Sequence, residues 1–163
     1  MPHTGSIQTK ITSRLTGTSL LGAPADPLDF VFTVDMPNGT GAGQANYRFA
    51  DLRTLNAAAN EDLDLAGGLT GSLGGSLTFT KIKYIGIFAP VTNTGSLVVT
   101  RPAANGIAIF AAAGDGLTVT PGGKFEWSDP TGVTITAATA DLINISNPGG
   151  AQSKYNVVII GTV

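Results

Sequence analysis

An all-β fold follows from three features of this chain. Short apolar runs rich in Val, Ile, Thr and Phe recur along it, Gly, Pro, Asn and Asp punctuate them, and helical periodicity is almost absent. About ten short strands at spacings of roughly 8 to 15 residues predict a jelly-roll-like or related β-sandwich or barrel with an extended N-terminal segment. The 163 residues match the common size of one domain, no linker is long enough to divide them, and no repeat of fixed period is present. Residues 1–163 are therefore expected to form a single all-β domain, with residues 1–5 a flexible or partner-binding arm.

The first strand is placed over residues 6–15. Ile7, Thr9, Ile11 and Ser13 share one face there, against Gln8, Lys10 and Thr12. A proline-bearing loop follows over residues 22–27. In the second strand, residues 28–34, Leu28, Phe30 and Phe32 fall at period two and are expected to point into one core. Residues 37–43 read as a glycine-rich loop. Residues 45–55 form a third extended run, with Tyr47, Phe49 and Asp51 on one side and Arg48, Ala50 and Leu52 on the other. Leu63 and Leu65 alternate with Asp62 and Asp64, a short strand with one wet face. Residues 67–76 hold five glycines, which favours a loop over a helical turn.

The strongest strand spans residues 77–88. It turns apolar on both faces toward its end, so it is expected to be central, with Gly86 marking a bulge or a close neighbour. Asn93-Thr94-Gly95 is a turn into a strand over residues 96–101. A short apolar run covers residues 107–112, and Asp115-Gly116 leads into a strand over residues 117–120. Pro121-Gly122-Gly123 is a hairpin signal, because proline presets one central turn position and glycine accepts positive φ at the next. The return strand, residues 124–128, sets Phe125 and Trp127 against Lys124, Glu126 and Ser128. Asp129-Pro130-Thr131-Gly132 reads as a second turn of the same kind. Strands then follow over residues 133–136, 141–146 and 155–161, with Asn147-Pro148-Gly149-Gly150 between the last two.

Composition narrows the function. Nine Lys and Arg stand against eleven Asp and Glu, 12% of the chain, about half the roughly 25% usual in soluble domains. Glycine alone contributes 22 residues, and cysteine is absent. Mean hydropathy is +0.23. Two readings account for so apolar a chain: part of its surface is covered by other subunits, or a surface rich in Thr and Ser is polar without charge. The net charge of −2 and the scattered basic residues do not make the dense cationic face that nucleic acid requires. Residues 1–12 lack the apolar region of a secretory leader, and no apolar run approaches the roughly 18 residues of a membrane helix. Synthesis in the cytoplasm, with no membrane and no nucleic-acid partner, is the expectation.

The side chains for catalysis are sparse. His3 is the only histidine, on a terminus expected to fray, so a nucleophile–base–carboxylate triad has no base to use. Zinc lacks its usual ligands. Asp62 and Asp64, with Glu61 beside them, place carboxylates at i and i+2, as a hard cation accepts, but no EF-hand ligand series surrounds them. A solvated strand face is the simpler reading. A carboxylate pair for glycoside hydrolysis would have to come from Asp35, Asp51, Asp115, Asp129 and Asp141, each of which also suits a turn or strand end. Gly39-Thr40-Gly41-Ala42-Gly43 lacks the Lys-Ser/Thr ending and the following helix of a phosphate loop. Asn38-Gly39-Thr40 and Asn144-Ile145-Ser146 match a glycosylation sequon, which carries no meaning without secretion. Phe125 and Trp127 fit either a core or a partner-anchoring role. No catalytic, metal or cofactor residue is therefore expected.

Several stretches resemble small structural proteins of tailed bacteriophages. They are Glu61-Asp62-Leu63-Asp64-Leu65-Ala66-Gly67, Leu77-Thr78-Phe79-Thr80-Lys81-Ile82-Lys83 and Pro121-Gly122-Gly123-Lys124-Phe125, then Ile135-Thr136-Ala137, Asp141-Leu142-Ile143-Asn144-Ile145-Ser146-Asn147 and Tyr155-Asn156-Val157-Val158-Ile159-Ile160-Gly161. The resemblance covers residues 51–161 and rests on strand-and-turn patterns, not catalytic signatures. It implies a non-enzymatic virion component, most like a capsid decoration (cement) protein. Such a protein is commonly trimeric, sits on the outer shell, and ties major capsid subunits together. A tail, neck or baseplate component, including a host-adhesion or glycan-binding β-module, is the alternative, and a non-viral carbohydrate-binding module a third.

Overall fold

The computed structural model describes residues 3–163 and contains twelve β-strands. The first two, β1 (Thr4–Thr16) and β2 (Ala25–Pro37), pair only with each other in a long antiparallel hairpin. The body follows as β3 (Tyr47–Leu55), β4 (Asn60–Asp64), β5 (Ala66–Thr70), β6 (Ser76–Thr78), β7 (Lys81–Phe88), β8 (Leu97–Thr100), β9 (Gly116–Val119), β10 (Lys124–Thr134), β11 (Leu142–Ser146) and β12 (Ser153–Thr162). Two four-stranded antiparallel sheets, in the orders β10–β7–β12–β3 and β4–β11–β8–β9, face each other as a sandwich. The strands β5 and β6 form a small separate hairpin.

The eight sandwich strands pair as one folded ribbon. First meets last, β3 with β12, then β4 with β11, β7 with β10 and β8 with β9. Successive pairs fall in alternate sheets, and the β12–β7 and β11–β8 ladders complete them.

Period-two alternation supplies the core. Ile143 and Ile145 from β11 and Leu97 and Val99 from β8 meet Tyr155, Val157 and Ile159 from β12 and Ile85 and Ile87 from β7. The central strand β7 is buried on both faces, as its sequence predicts. Its outer face carries Tyr84 into a second, smaller cluster with Met36, Ala45 and Ile160. Gly86 fits there, because a Cβ would collide with the Tyr84 hydroxyl at 2.5 Å and the Phe88 ring at 2.6–2.8 Å.

Several expectations need correction. The predicted strand 77–88 breaks into β6 and β7, with Phe79 buried between them. The expected loop over residues 67–76 includes most of β5, because Leu69 and Leu77 pair and bury, anchoring a hairpin despite the glycines. Pro121-Gly122-Gly123 has the turn chemistry foreseen, with Gly122 at φ +77°, but makes no hairpin. The chain leaves β9 in one sheet and enters β10 in the other. Gly122 donates to the Ala89 carbonyl instead. Asp129-Pro130-Thr131-Gly132 does not separate two strands either. It is a bulge within β10, both of whose arms pair with β7. Residues 107–112 form no strand, although Ile107 is buried and Phe110 stacks on Phe125 at 5.5 Å.

The largest correction concerns Leu28, Phe30 and Phe32. They share one face, as period two requires, but that face does not enter the core. Phe30 remains 48% and Phe32 54% exposed. Their strand also begins earlier than expected, taking in Asp26 and Pro27. Thr4 and Gly5, placed in the short arm of residues 1–5, already pair with Pro37 and Met36. Met1 and Pro2 lie outside the described residues.

Candidate docking surface

The β1–β2 hairpin has two unlike faces. Its register sets Ile7 opposite Val34, Thr9 opposite Phe32, Ile11 opposite Phe30 and Ser13 opposite Leu28. Directly opposed residues share a face, so Met36, Val34, Phe32, Phe30, Leu28, Ile7, Ile11 and Leu15 make one apolar side. The other side carries Gln8, Lys10, Thr12, Arg14, Asp29, Thr33 and Asp35.

Only the root of this apolar side is covered. Ile7, Val34 and Met36 pack on Tyr84, Val158 and Ile160, the outer face of the first sheet. Lys83 holds the loop behind the root, its ammonium donating to the carbonyls of Gly41 and, at 2.6 Å, Gln44. Burial, then the nearby charge of Lys81, lowers its pKa. The glycines of residues 39–43 allow the close wrap, since a Cβ on Gly39 would fall on the Gln44 side chain. Their role is therefore a tether.

Beyond Thr9 and Thr33 every arm residue is exposed. The tip is a tight loop in which Ser19 and Gly22 bond to each other, leaving Leu20 and Leu21 wholly in solvent. Among the described residues, eight of the twelve exposed large hydrophobic ones lie on this arm. A lone two-stranded hairpin is marginal in water, and so concentrated an apolar face marks an interaction surface. Beside the root, a cleft of about 620 Å³ runs between the free edge of β1 at Gly5 and a wall that includes Tyr47, Arg48, Leu73, Val158 and Ile160.

The carboxylates weighed for chemistry are dispersed, and most serve local structure. Glu61 joins the two sheets: its oxygens accept from the Tyr155 hydroxyl at 2.6 Å and from Arg53 at 2.7 Å. Arg53 also lies 3.2 Å from Asp51. Asp62 accepts from Asn144 at 2.8 Å, and Asp64 turns back to the Ala66 amide at 2.8 Å. Asp115, Asp129 and Asp141 each accept a backbone N–H two or three residues away. Asp35 lies on the arm. Among the described residues, no three His, Cys, Asp or Glu converge as a metal site. His3 donates its backbone N–H to Asn38 and lies over Gly5. Phe125 is buried and Trp127 packs partly on the core, which settles the core role for Phe125.

No protein-family model matches the chain, and no curated protein matches it. Among the described residues no helix is long and apolar enough to cross a membrane. Sequence reasoning found the amphipathic alternation of the arm but assigned its apolar face to the interior.

Proposed function

We propose that this chain is a non-enzymatic structural protein of a bacteriophage particle, a capsid decoration protein that binds the outer shell and stabilises contacts between major capsid subunits. One observation carries the reading: a closed sandwich presents a long arm whose apolar face, beyond its root, is covered by none of the described residues. The rolled ribbon order supports it by analogy, since jelly rolls are wound in this way and recur in viral capsid and lectin domains. The sequence resemblance points the same way.

The mechanism is linkage. A protein that binds the assembled shell better than free subunits shifts the equilibrium toward the shell by its differential affinity. Many copies at symmetric positions add avidity without strong individual contacts. Low surface charge reduces the desolvation cost of lying against another protein. The site of action is the virion surface, after synthesis in the host cytoplasm.

Quantitative gel densitometry of purified particles tests the reading. A decoration protein is expected in hundreds of copies per particle. A handful of copies would replace it with a tail, neck or baseplate role, and absence from particles would end both.

A further inference from the structure

We propose that the distal arm joins copies of this chain head to tail, the free edge of β1 in one copy pairing with the free edge of β2 in the next. The occupant of the apolar face is thus a second copy. The inference deepens the reading of the arm as a docking element, but it does not depend on the shell.

The first argument is area. The chain exposes 8786 Å², whereas compact chains of its mass expose roughly 7,500 Å². A standard interface takes about 800 Å² from each partner, and each copy in a ring makes two such contacts, so the surplus supplies most of the area they need.

The second argument is charge. Strand β1 carries Lys10 and Arg14 and no acid, while β2 carries Asp26, Asp29 and Asp35 and no base. Within the arm only Lys10 and Asp29 approach, at 3.8 Å and both more than half exposed. Among the described residues Arg14, Asp26 and Asp35 make no ion pair. A two-fold edge contact would oppose β1 to β1 or β2 to β2, setting like charges together. Only a head-to-tail contact opposes unlike edges. Such a contact is heterologous and forms a ring where the rotation between copies closes. Two copies cannot close it, so the smallest ring has three.

The third argument is geometry. When arms stand side by side around an axis, β2 of one copy and β1 of the next run antiparallel, the ladder already used inside each arm. Lys10 is level with Val31 and Arg14 with Pro27. At matching height both would flank Asp29 of the next copy, each two residues off its level and on the same face, within diagonal reach. Closing the ring turns Ile11, Phe30 and Phe32 toward the axis and out of water.

The test measures the native mass of the full-length chain by light scattering at micromolar concentration. Three or more copies are expected, and a monomer or dimer overturns the proposal. Lys10→Glu with Arg14→Glu should reduce the particle to monomer while leaving the thermal melt of the sandwich, followed by Trp127, in place. Adding Asp29→Lys to that variant should restore the mass. An unchanged mass after the first pair, or no restoration in a variant that melts like its parent, also overturns it. Shell binding is measured on the same proteins. A ring that ignores shells defeats the decoration reading alone, and a monomer that coats shells defeats this one alone.

Discussion

Glu61 decides more than its place in the sequence suggests. It lies on β4, yet its two oxygens reach Arg53 on β3 and Tyr155 on β12, both in the other sheet. Period-two alternation sets it on the face of Leu63, opposite Asp62 and Asp64, and only the sandwich reveals the partners it meets there. Tyr155 is buried. Burial first, then the hydrogen bond to Glu61 and its charge, raises the phenol above its ordinary range, and Tyr84 is raised likewise by burial and Glu126. A raised folded-state pKa means the unfolded chain loses its proton first. Stability from these two groups is therefore fully present below about pH 10, the ordinary tyrosine value, and declines as pH rises above it. Urea denaturation between pH 8 and 11 should show a fall beginning near pH 10. Tyr155→Phe should soften that fall and cost about 1–3 kcal/mol at neutral pH, because it removes one of the partners of a carboxylate tying the sheets. A midpoint flat to pH 11 in the parent would refute the assignment.

At the scale of the element, similar patterns acquire opposite fates. Ile11 in β1 and Ile145 in β11 both sit at period-two apolar positions, but Ile11 is 49% exposed and Ile145 is fully buried. Ile145→Ala should therefore lower unfolding free energy by about 2–5 kcal/mol. Ile11→Ala should change it by less than about 0.5 kcal/mol in chains diluted to monomer, as for surface substitutions generally. Chemical denaturation of the two variants side by side checks this, and equal losses would mean the arm belongs to the cooperative core. Turn chemistry was legible in the same partial way. Gly122 and Gly132 adopt the positive φ that their motifs promise. Yet one turn crosses between sheets and the other bulges inside a strand, because local geometry sets how the chain bends but not which strand it meets next.

Across the whole molecule, the ribbon pairs β3 with β12 and β4 with β11, so the body closes only when distant segments meet. Chains dominated by such long-range pairing fold slowly, because loop-closure entropy is spent before contacts return it. Refolding of the monomeric arm variant, followed by Trp127 fluorescence in a stopped-flow instrument, should have its main phase in milliseconds to seconds. A microsecond phase carrying most of the amplitude would contradict this topology. Period-two alternation, turn residues and the absence of helical periodicity determined the all-β class, most of the strands and which residues share a face, since these depend on each residue and its near neighbours. Which apolar faces meet each other was decided in three dimensions: the strand order, the Glu61 link and the exposure of the arm all depend on residues far apart in the chain. The alternation that buries β11 and bares β1 is locally the same, and only the presence or absence of an opposing sheet tells them apart.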